Sequence, residues 1–149
     1  MEEWKPSPEG WICLNFDGSS MGNPGQAGIG GTFRDHTGNT LLAYSGPIGQ
    51  STSNMAEARA LLAGIKIYST NFSGPLRIEG DSALVIGWST KGSPPWKLRN
   101  IFYEITELTA GWQIQWSRIP RSANSLADKL AKEGVTRAAL VMGTLIPII

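Results

Sequence analysis

The order of strand-like and helix-like segments is the feature that most constrains how this chain can fold. Three segments near the beginning have the composition of strands, and helical and strand segments alternate after them. The first three follow one another as in an antiparallel meander, whereas strands that are separated by helices pair in parallel through crossovers. We therefore expect a single α/β domain with a mixed sheet.

The individual segments are assigned from apolar runs, turn residues and helix-capping residues. Trp11–Phe16 is typical of a buried strand that ends at Asp17, and Ser51–Asn54 offers the side chains of a helix N-cap before Met55. We predict strands at 11–16, 28–33, 40–45, 76–80 and 112–119, and helices at 55–68, 82–88, 98–109 and 125–133.

The composition excludes several classes of protein. The 149 residues are the length of one domain, which we place at 11–137 between a lead-in segment, 1–10, and an apolar C-terminal tail, 138–149. Lys and Arg number 13 against 12 Asp and Glu, so a strongly basic nucleic-acid coat protein is excluded. One cysteine and one histidine cannot form a disulfide or a Cys/His zinc site within the chain. The histidine, His36, lies in a polar turn, where a solvated residue is commoner than a catalytic base.

Other patterns bear on cofactor class and location. Glycines 28, 30 and 31 lie inside a predicted strand rather than between a strand and a helix, which disfavours a dinucleotide-binding domain. The chain opens with acidic residues rather than a secretory signal, and the apolar tail is shorter than the roughly 20 residues that span a bilayer. We expect an intracellular protein, in the nucleus or the cytoplasm.

Four carboxylates stand where local structure alone does not require them. Asp17 and Asp81 each follow a predicted strand, and Asp128 lies in the last predicted helix. Glu57 is followed by apolar or small residues at offsets of three, four, seven and eight, so it lies on the helix face that meets the sheet. Simpler readings are a turn residue for Asp17, a helix cap for Asp81 and a surface residue for Asp128. If the four converge, their oxygens suit two Mg²⁺ or Mn²⁺ ions and phosphodiester hydrolysis.

Five motifs contain these carboxylates and several amide residues. They are, in chain order, Asn15–Ser19, Gly22–Gly25, Thr52–Glu57, Glu79–Ser82 and Pro120–Ala131. In this order they resemble the ribonuclease H family, in its plant-type, reverse-transcriptase-like branch. The resemblance covers most of the chain, from about Trp11 to about Val135; each motif is weak alone, but together they form a specific signal.

The resemblance implies a fold, an activity and a metal site. The fold is a five-stranded mixed sheet in the order 3-2-1-4-5 with helices on both faces. The activity is endonucleolytic cleavage of the RNA strand of an RNA–DNA hybrid, which leaves a 3′-hydroxyl and a 5′-phosphate. The catalytic and metal-binding residues implied for two Mg²⁺ or Mn²⁺ ions are Asp17, Glu57, Asp81 and Asp128.

The same resemblance implies substrate contacts at Gly22, Asn23 and Asn54. An asparagine amide can both donate to and accept from a 2′-hydroxyl, which the minor groove of a hybrid displays. The alternative readings are an ordinary turn residue for Asn23 and a helix cap for Asn54.

Two departures from the family keep other functions open. Residues 118–124, before the last helix, contain no histidine, and residues 91–100 lack the basic, tryptophan-bearing substrate handle of some members. A non-catalytic nucleic-acid-binding or interaction module derived from a mobile-element enzyme is the first alternative, and a related nuclease or resolvase is the second. For an active enzyme we expect weak, salt-sensitive hybrid binding. The tail is a possible docking site for a protein partner or a second copy.

Overall fold

A six-stranded mixed sheet forms the centre of residues 6–144, which are the residues that the structure, a computed structural model, describes. Four α-helices surround this sheet, and short 3₁₀ turns precede the third and fourth of them. The elements are β1 (Ile12–Ser20), β2 (Gly25–Arg34), β3 (Thr40–Ser51), α1 (Ser53–Asn71), β4 (Leu76–Gly80), α2 (Ala83–Lys91), α3 (Arg99–Thr109), β5 (Ile114–Arg118), α4 (Ser125–Gly134) and β6 (Val141–Gly143).

The strand order is β5-β4-β1-β2-β3-β6. The first three strands are antiparallel neighbours, and β4 and β5 pair in parallel on the other side of β1. The predicted α/β fold with a mixed sheet in the order 3-2-1-4-5 is confirmed. The sixth strand was not predicted, because residues 141–143 were assigned to the apolar tail.

The sixth strand joins part of the predicted tail to the sheet. Residues 141–143 pair antiparallel with residues 43–45 of β3. A Cβ at Gly46 would lie 2.7 Å from the Cα of Leu140, so the chain before β6 runs directly over β3. Residues 145–149 lie outside the described residues, so the predicted docking role of the tail stays a prediction.

The strands of the meander are longer than predicted. β1 continues beyond Phe16 to Ser20, and its last residues pair with Ala27–Ile29 of β2. The prediction ended β1 at Phe16 because the next residues are small and polar. Backbone pairing with a neighbouring strand needs no apolar side chain, so the ladder continues through them.

The two faces of the sheet receive different helices. Leu14 and Phe16 point to the face that α1 covers, where most of the apolar core lies. Along a strand, side chains alternate between faces, so Asn15 and Asp17 point to the opposite face, which α4 covers. None of the helices within residues 6–144 is long and apolar enough to cross a membrane.

Two glycines of β2 allow α4 to lie close to the sheet. A Cβ on Gly30 would come within 2.4 Å of the backbone nitrogen of Ala131, and one on Gly28 within 2.4 Å of its carbonyl oxygen. Gly30 pairs with Asp17 of β1. The contact therefore sets α4, which carries Asp128, beside the row of β1 that carries Asp17.

Candidate active site

Two neighbouring strands bring Asp17 and Asp81 to one edge of the sheet. Asn15 of β1 is paired with Glu79 of β4, and the strands are parallel. Asp17 and Asp81 come two residues after Asn15 and Glu79, so their side chains point to the same face of the sheet as those two residues do. The sheet register thus places these two carboxylates side by side.

Glu57 reaches the same edge from α1. A Cβ on Gly18 would lie 2.3 Å from the backbone of Ala56, so the beginning of α1 lies directly against β1 at this glycine. The Gly18 N–H donates to Glu57 Oε1 at 2.9 Å and to Asp17 Oδ1 at 3.0 Å. One backbone group therefore orients both carboxylates.

The three carboxylates form a compact group of oxygens. Each of Asp17, Glu57 and Asp81 offers one oxygen, and these oxygens lie within 4.8 Å of one another. Asp17 is 3% exposed and Glu57 is 8% exposed. Glu57 Oε2 is buried, and no hydrogen-bond donor among residues 6–144 reaches it. A buried carboxylate oxygen without a donor, beside two further carboxylates, is suited to a hard divalent cation, so the residues present fit such an ion.

Asp128 lies at the rim of this group, close to the Asp17 carboxyl group. It lines the same polar cavity of about 230 Å³ as Asp17, Glu57, Asp81 and Arg121. Its carboxylate is bonded to Lys132 Nζ at 3.0 Å and to Arg121 Nη2 at 3.4 Å. The structure thus brings Asp17, Glu57 and Asp81 into mutual contact range, and Asp128 faces them with cationic partners of its own.

The carboxyl groups differ in their affinity for protons. Burial, together with the nearby Glu57 carboxylate, raises the pKa of Asp17 to about 11. Burial also raises the pKa of Glu57. For Asp128, burial acts to raise the pKa, but Lys132 and Arg121 outweigh it and the pKa is lowered. Two protons or a cation can therefore relieve the charge at the buried pair, while Asp128 stays ionised.

The structure settles the helix-cap alternatives. The N-cap of α2 is Ser82, whose hydroxyl accepts from Val85 N at 3.2 Å, so Asp81 is not the cap. The N-cap of α1 is Thr52, which accepts from Met55 N at 3.2 Å. Asn54 is therefore not a cap either, and its side chain is exposed in the first turn of α1.

The predicted substrate-contact residues lie beside the carboxylates. The Asn23 side chain accepts a hydrogen bond from Ser53 N at 3.0 Å, so it ties its loop, which also contains Gly22, to the start of α1. Asn54 lines a cavity of about 440 Å³ together with Arg59 and Lys97. A further cavity, of about 380 Å³, lies near Tyr68 and Trp112 and contains no carboxylate. The candidate active site is therefore identified by its cluster of carboxylates, and not by the size of its cavity.

Polar residues behind the site were not singled out as site residues from the sequence. Asn15, Glu79 and Asn124 are buried on the α4 face, next to the carboxylates. Asn15 had a visible signal, because it is a polar residue inside an apolar strand. Glu79 and Asn124 lie within two of the five family motifs. Their burial depends on the packing of α4, which the sequence pattern does not specify.

Comparisons with known proteins agree with this geometry. A family described as reverse transcriptase-like matches residues 15–134. A ribonuclease HI from Halobacterium salinarum is 32% identical over 141 residues, which covers 90% of this chain and 69% of that protein. The bifunctional protein Rv2228c from Mycobacterium tuberculosis is 31% identical over 135 residues, but the chain spans only 36% of its length.

Solved structures also share the fold. The crystal structure of RNase H1 from Halobacterium salinarum matches with a TM-score of 0.80 and 31% identity, over 85% of this chain and 98% of that one. The structure of LC11-RNase H1 in complex with an RNA/DNA hybrid matches with a TM-score of 0.78 and 29% identity. That match covers 83% of this chain and 96% of that one.

Proposed function

The chain belongs to the ribonuclease H family, in its reverse transcriptase-like branch, and on that basis we propose that it cleaves the RNA strand of RNA–DNA hybrids with the aid of divalent metal ions. The observation that carries this proposal is the group of three carboxylates, in which Asp17 and Glu57 are buried and Asp81 is half-buried, with one Glu57 oxygen that no donor among residues 6–144 reaches. Such a group is costly to bury unless a cation binds there.

The proposed ligands of two Mg²⁺ or Mn²⁺ ions are Asp17, Glu57, Asp81 and Asp128. All four offer oxygen, which these ions prefer. When bound, two such ions activate a water molecule and stabilise the leaving oxygen of a phosphodiester. The Gly18 N–H fixes one oxygen of Glu57 and leaves Oε2 as a ligand atom.

Asp128 has a different part in the proposed site. Lys132 and Arg121 hold its carboxylate in the ionised form at the rim of the cavity. Arg121 has a side chain that is 72% exposed, so its guanidinium also faces the space where a phosphate would approach. Arg121 gives the segment before α4, residues 118–124, which contains no histidine, a permanent positive charge beside the site.

Recognition of the hybrid is assigned to the loop and helix beside the carboxylates. The proposed minor-groove contacts are Gly22, Asn23 and Asn54. Asn54 is free to exchange hydrogen bonds with 2′-hydroxyls, since Thr52 caps the helix in its place. Arg59 and Lys97 supply charge along the adjoining cavity. The overall charge of +1 gives little further attraction, so we expect the hybrid to bind weakly, with an affinity that falls as the salt concentration rises.

Cleavage of a labelled RNA–DNA hybrid by the parent protein and by Asp17→Asn tests the proposal. We expect the parent to cut only the RNA strand in Mg²⁺ or Mn²⁺ and to leave 3′-hydroxyl and 5′-phosphate ends. Asp17→Asn should lower the rate by about a thousandfold or more, because metal-ion stabilisation of the transition state is worth several kcal/mol.

Asp35→Asn is the matched control for that substitution. Asp35 accepts hydrogen bonds from Thr37 and Asn39 in the turn between β2 and β3, at the other end of the sheet from Asp17. The Asp35→Asn variant should cleave the hybrid at the parent's rate. Equal and negligible cleavage by the parent and Asp17→Asn would contradict the proposal and favour a non-catalytic binding module. Cleavage of duplex RNA in preference to the hybrid would favour a related nuclease.

A further inference from the structure

A buried polar network lies directly behind the carboxylate group, on the same face of the sheet. It consists of Asn15 of β1, Arg77 and Glu79 of β4, and Asn124 at the start of α4; we call these four residues the inner network. Asn15 and Glu79 occupy the row positions two residues before Asp17 and Asp81. Anything that shifts the inner network therefore acts on the two rows that carry the proposed metal ligands.

The strand members of the inner network satisfy one another. Glu79 is bonded to Arg77 Nη2 at 2.8 Å through Oε2, and its Oε1 accepts from Asn15 Nδ2 at 3.1 Å. The same Asn15 amide also donates to Asn124 Oδ1 at 3.3 Å. Both amide hydrogens of Asn15 are thus used, and the Asn124 side chain is held in one orientation.

Asn124 uses its own amide to reach the carboxylate group. Its Nδ2 donates to the Phe16 carbonyl oxygen at 3.0 Å and, over a longer 3.5 Å, to Asp81 Oδ2. The residue is 2% exposed. Asparagine at the N-cap of a helix ordinarily bonds the helix backbone, yet Asn124 is the N-cap of α4 and makes no such bond. Its side chain faces the site instead of its own helix.

We infer that Asn124 is a positioning residue that fixes the Asp81 carboxylate for metal binding. The inference rests on the function proposed above. Asn124 contacts the backbone next to Asp17, the side chain of Asp81, and the helix that carries Asp128 one turn later. It is a single buried side chain that ties together the elements carrying three of the four proposed ligands.

A residue of this kind acts through the ligand that it orients. A carboxylate that loses its hydrogen-bond donor samples more orientations, and the metal then binds at the cost of restricting them. Loss of an outer partner of a metal ligand lowers metal affinity or activity by about 10–100-fold. Because Asn124 is buried, its loss leaves the surface that contacts the hybrid unchanged.

The test is a Mg²⁺ titration of the parent, Asn124→Ala and Asn124→Leu. The Leu variant fills the side-chain volume, so folding does not depend on a cavity. The readouts are the thermal-unfolding midpoint as a function of Mg²⁺, which needs no activity, and the Mg²⁺ dependence and hybrid KM of cleavage. Ile105→Val is the control, because it removes a methyl group from the core in α3 and lowers stability without contacting the inner network.

We expect both Asn124 variants to require about tenfold more Mg²⁺ than the parent in both readouts, with the hybrid KM unchanged. Ile105→Val should melt earlier at every Mg²⁺ concentration but keep the parent's Mg²⁺ midpoint. Asn124 variants that melt earlier in EDTA yet keep the parent's Mg²⁺ midpoint would overturn the inference and leave Asn124 a purely structural residue. A parent that neither cleaves nor responds to Mg²⁺ would instead overturn the proposed function, and this inference with it.

Discussion

Two glutamates, each buried next to the same pair of strands, have opposite surroundings. Glu79 is 1% exposed and has an arginine partner at 2.8 Å and an asparagine amide at 3.1 Å. Glu57 is 8% exposed; one of its oxygens accepts a single backbone N–H, and the other has no donor within residues 6–144. Its closest ionisable neighbours are the carboxylates of Asp17 and Asp81.

The difference is the one expected between a carboxylate that stabilises the fold and one that serves as a metal ligand, the role proposed for Glu57. Removing a charge from water costs several kcal/mol, and Glu79 recovers much of that through Arg77 and Asn15. Within residues 6–144, Glu57 forms no ion pair, and its backbone donor is the Gly18 N–H. Functional sites are where proteins retain groups that reduce stability, and a bound divalent cation would supply the missing partner. Burial alone therefore does not distinguish the two glutamates, whereas the unsatisfied oxygen of Glu57 does.

The same substitution, glutamate to glutamine, at both positions tests this difference. Glu57→Gln should lower hybrid cleavage by about a thousandfold, because it removes a proposed metal ligand, yet leave stability in EDTA equal or higher. Glu79→Gln should lower the free energy of unfolding by about 3 kcal/mol, because Arg77 loses its charged partner. Denaturant unfolding in EDTA and single-turnover cleavage measure the two effects.

The two variants should show opposite effects in that experiment: Glu57→Gln loses cleavage but keeps its stability, whereas Glu79→Gln loses stability but keeps most of its cleavage. The folded fraction of Glu79→Gln should still cleave within about tenfold of the parent, since glutamine can accept the hydrogen bond from Asn15. If Glu57→Gln destabilised the metal-free protein as much as Glu79→Gln, Glu57 would be a structural residue and the comparison would fail.

A smaller effect follows from the pKa of Asp17, which burial and Glu57 raise from 3.8 to about 11. The folded state binds this proton more tightly than the unfolded state does. The stability that this group contributes is therefore present in full below about pH 4 and is lost progressively as the pH rises towards 11. In EDTA, Asp17→Asn should gain on the parent as the pH rises from 5 to 9, by about 1–3 kcal/mol at the upper end.

Thermal melts across that pH range, in EDTA and in Mg²⁺, measure this trend. Mg²⁺ should narrow the gap between the two proteins at high pH, because the cation takes the place of the proton. If the stabilities of the parent and of Asp17→Asn changed in parallel with pH, ionisation of Asp17 would not destabilise the metal-free fold.

Much of the fold was predictable because it depends on segment order. The alternation of strands and helices after residue 76 indicated parallel crossovers, and the structure has them. The end of β1 and the strand β6 were not predictable in the same way. Gly18–Ser20 and Val141–Gly143 join the sheet through backbone pairing, which leaves no periodic pattern in the side chains.

The acidic residues of the candidate site were predictable from the sequence, but the residues that hold them in position were not. Asp17, Glu57 and Asp81 could be singled out because each is a charged residue in an apolar or strand-end context. The role of Asn124 depends on where α4 sits, and that is set by the close contact of Gly28 and Gly30 with Ala131. Contacts between elements that are distant in sequence leave no local signal.

The position of a bound cation decides whether the carboxylate group of Asp17, Glu57 and Asp81 is a metal site. Crystals of the parent and of Asp17→Asn soaked in Mn²⁺ would each give an anomalous difference map, which locates the ion without any assay of activity. We expect a peak in the parent that is coordinated by oxygens of Asp17, Glu57 and Asp81, and a lost or weakened peak in Asp17→Asn. No peak at this group in a parent crystal saturated with Mn²⁺, or a peak beside Glu79 instead, would contradict it.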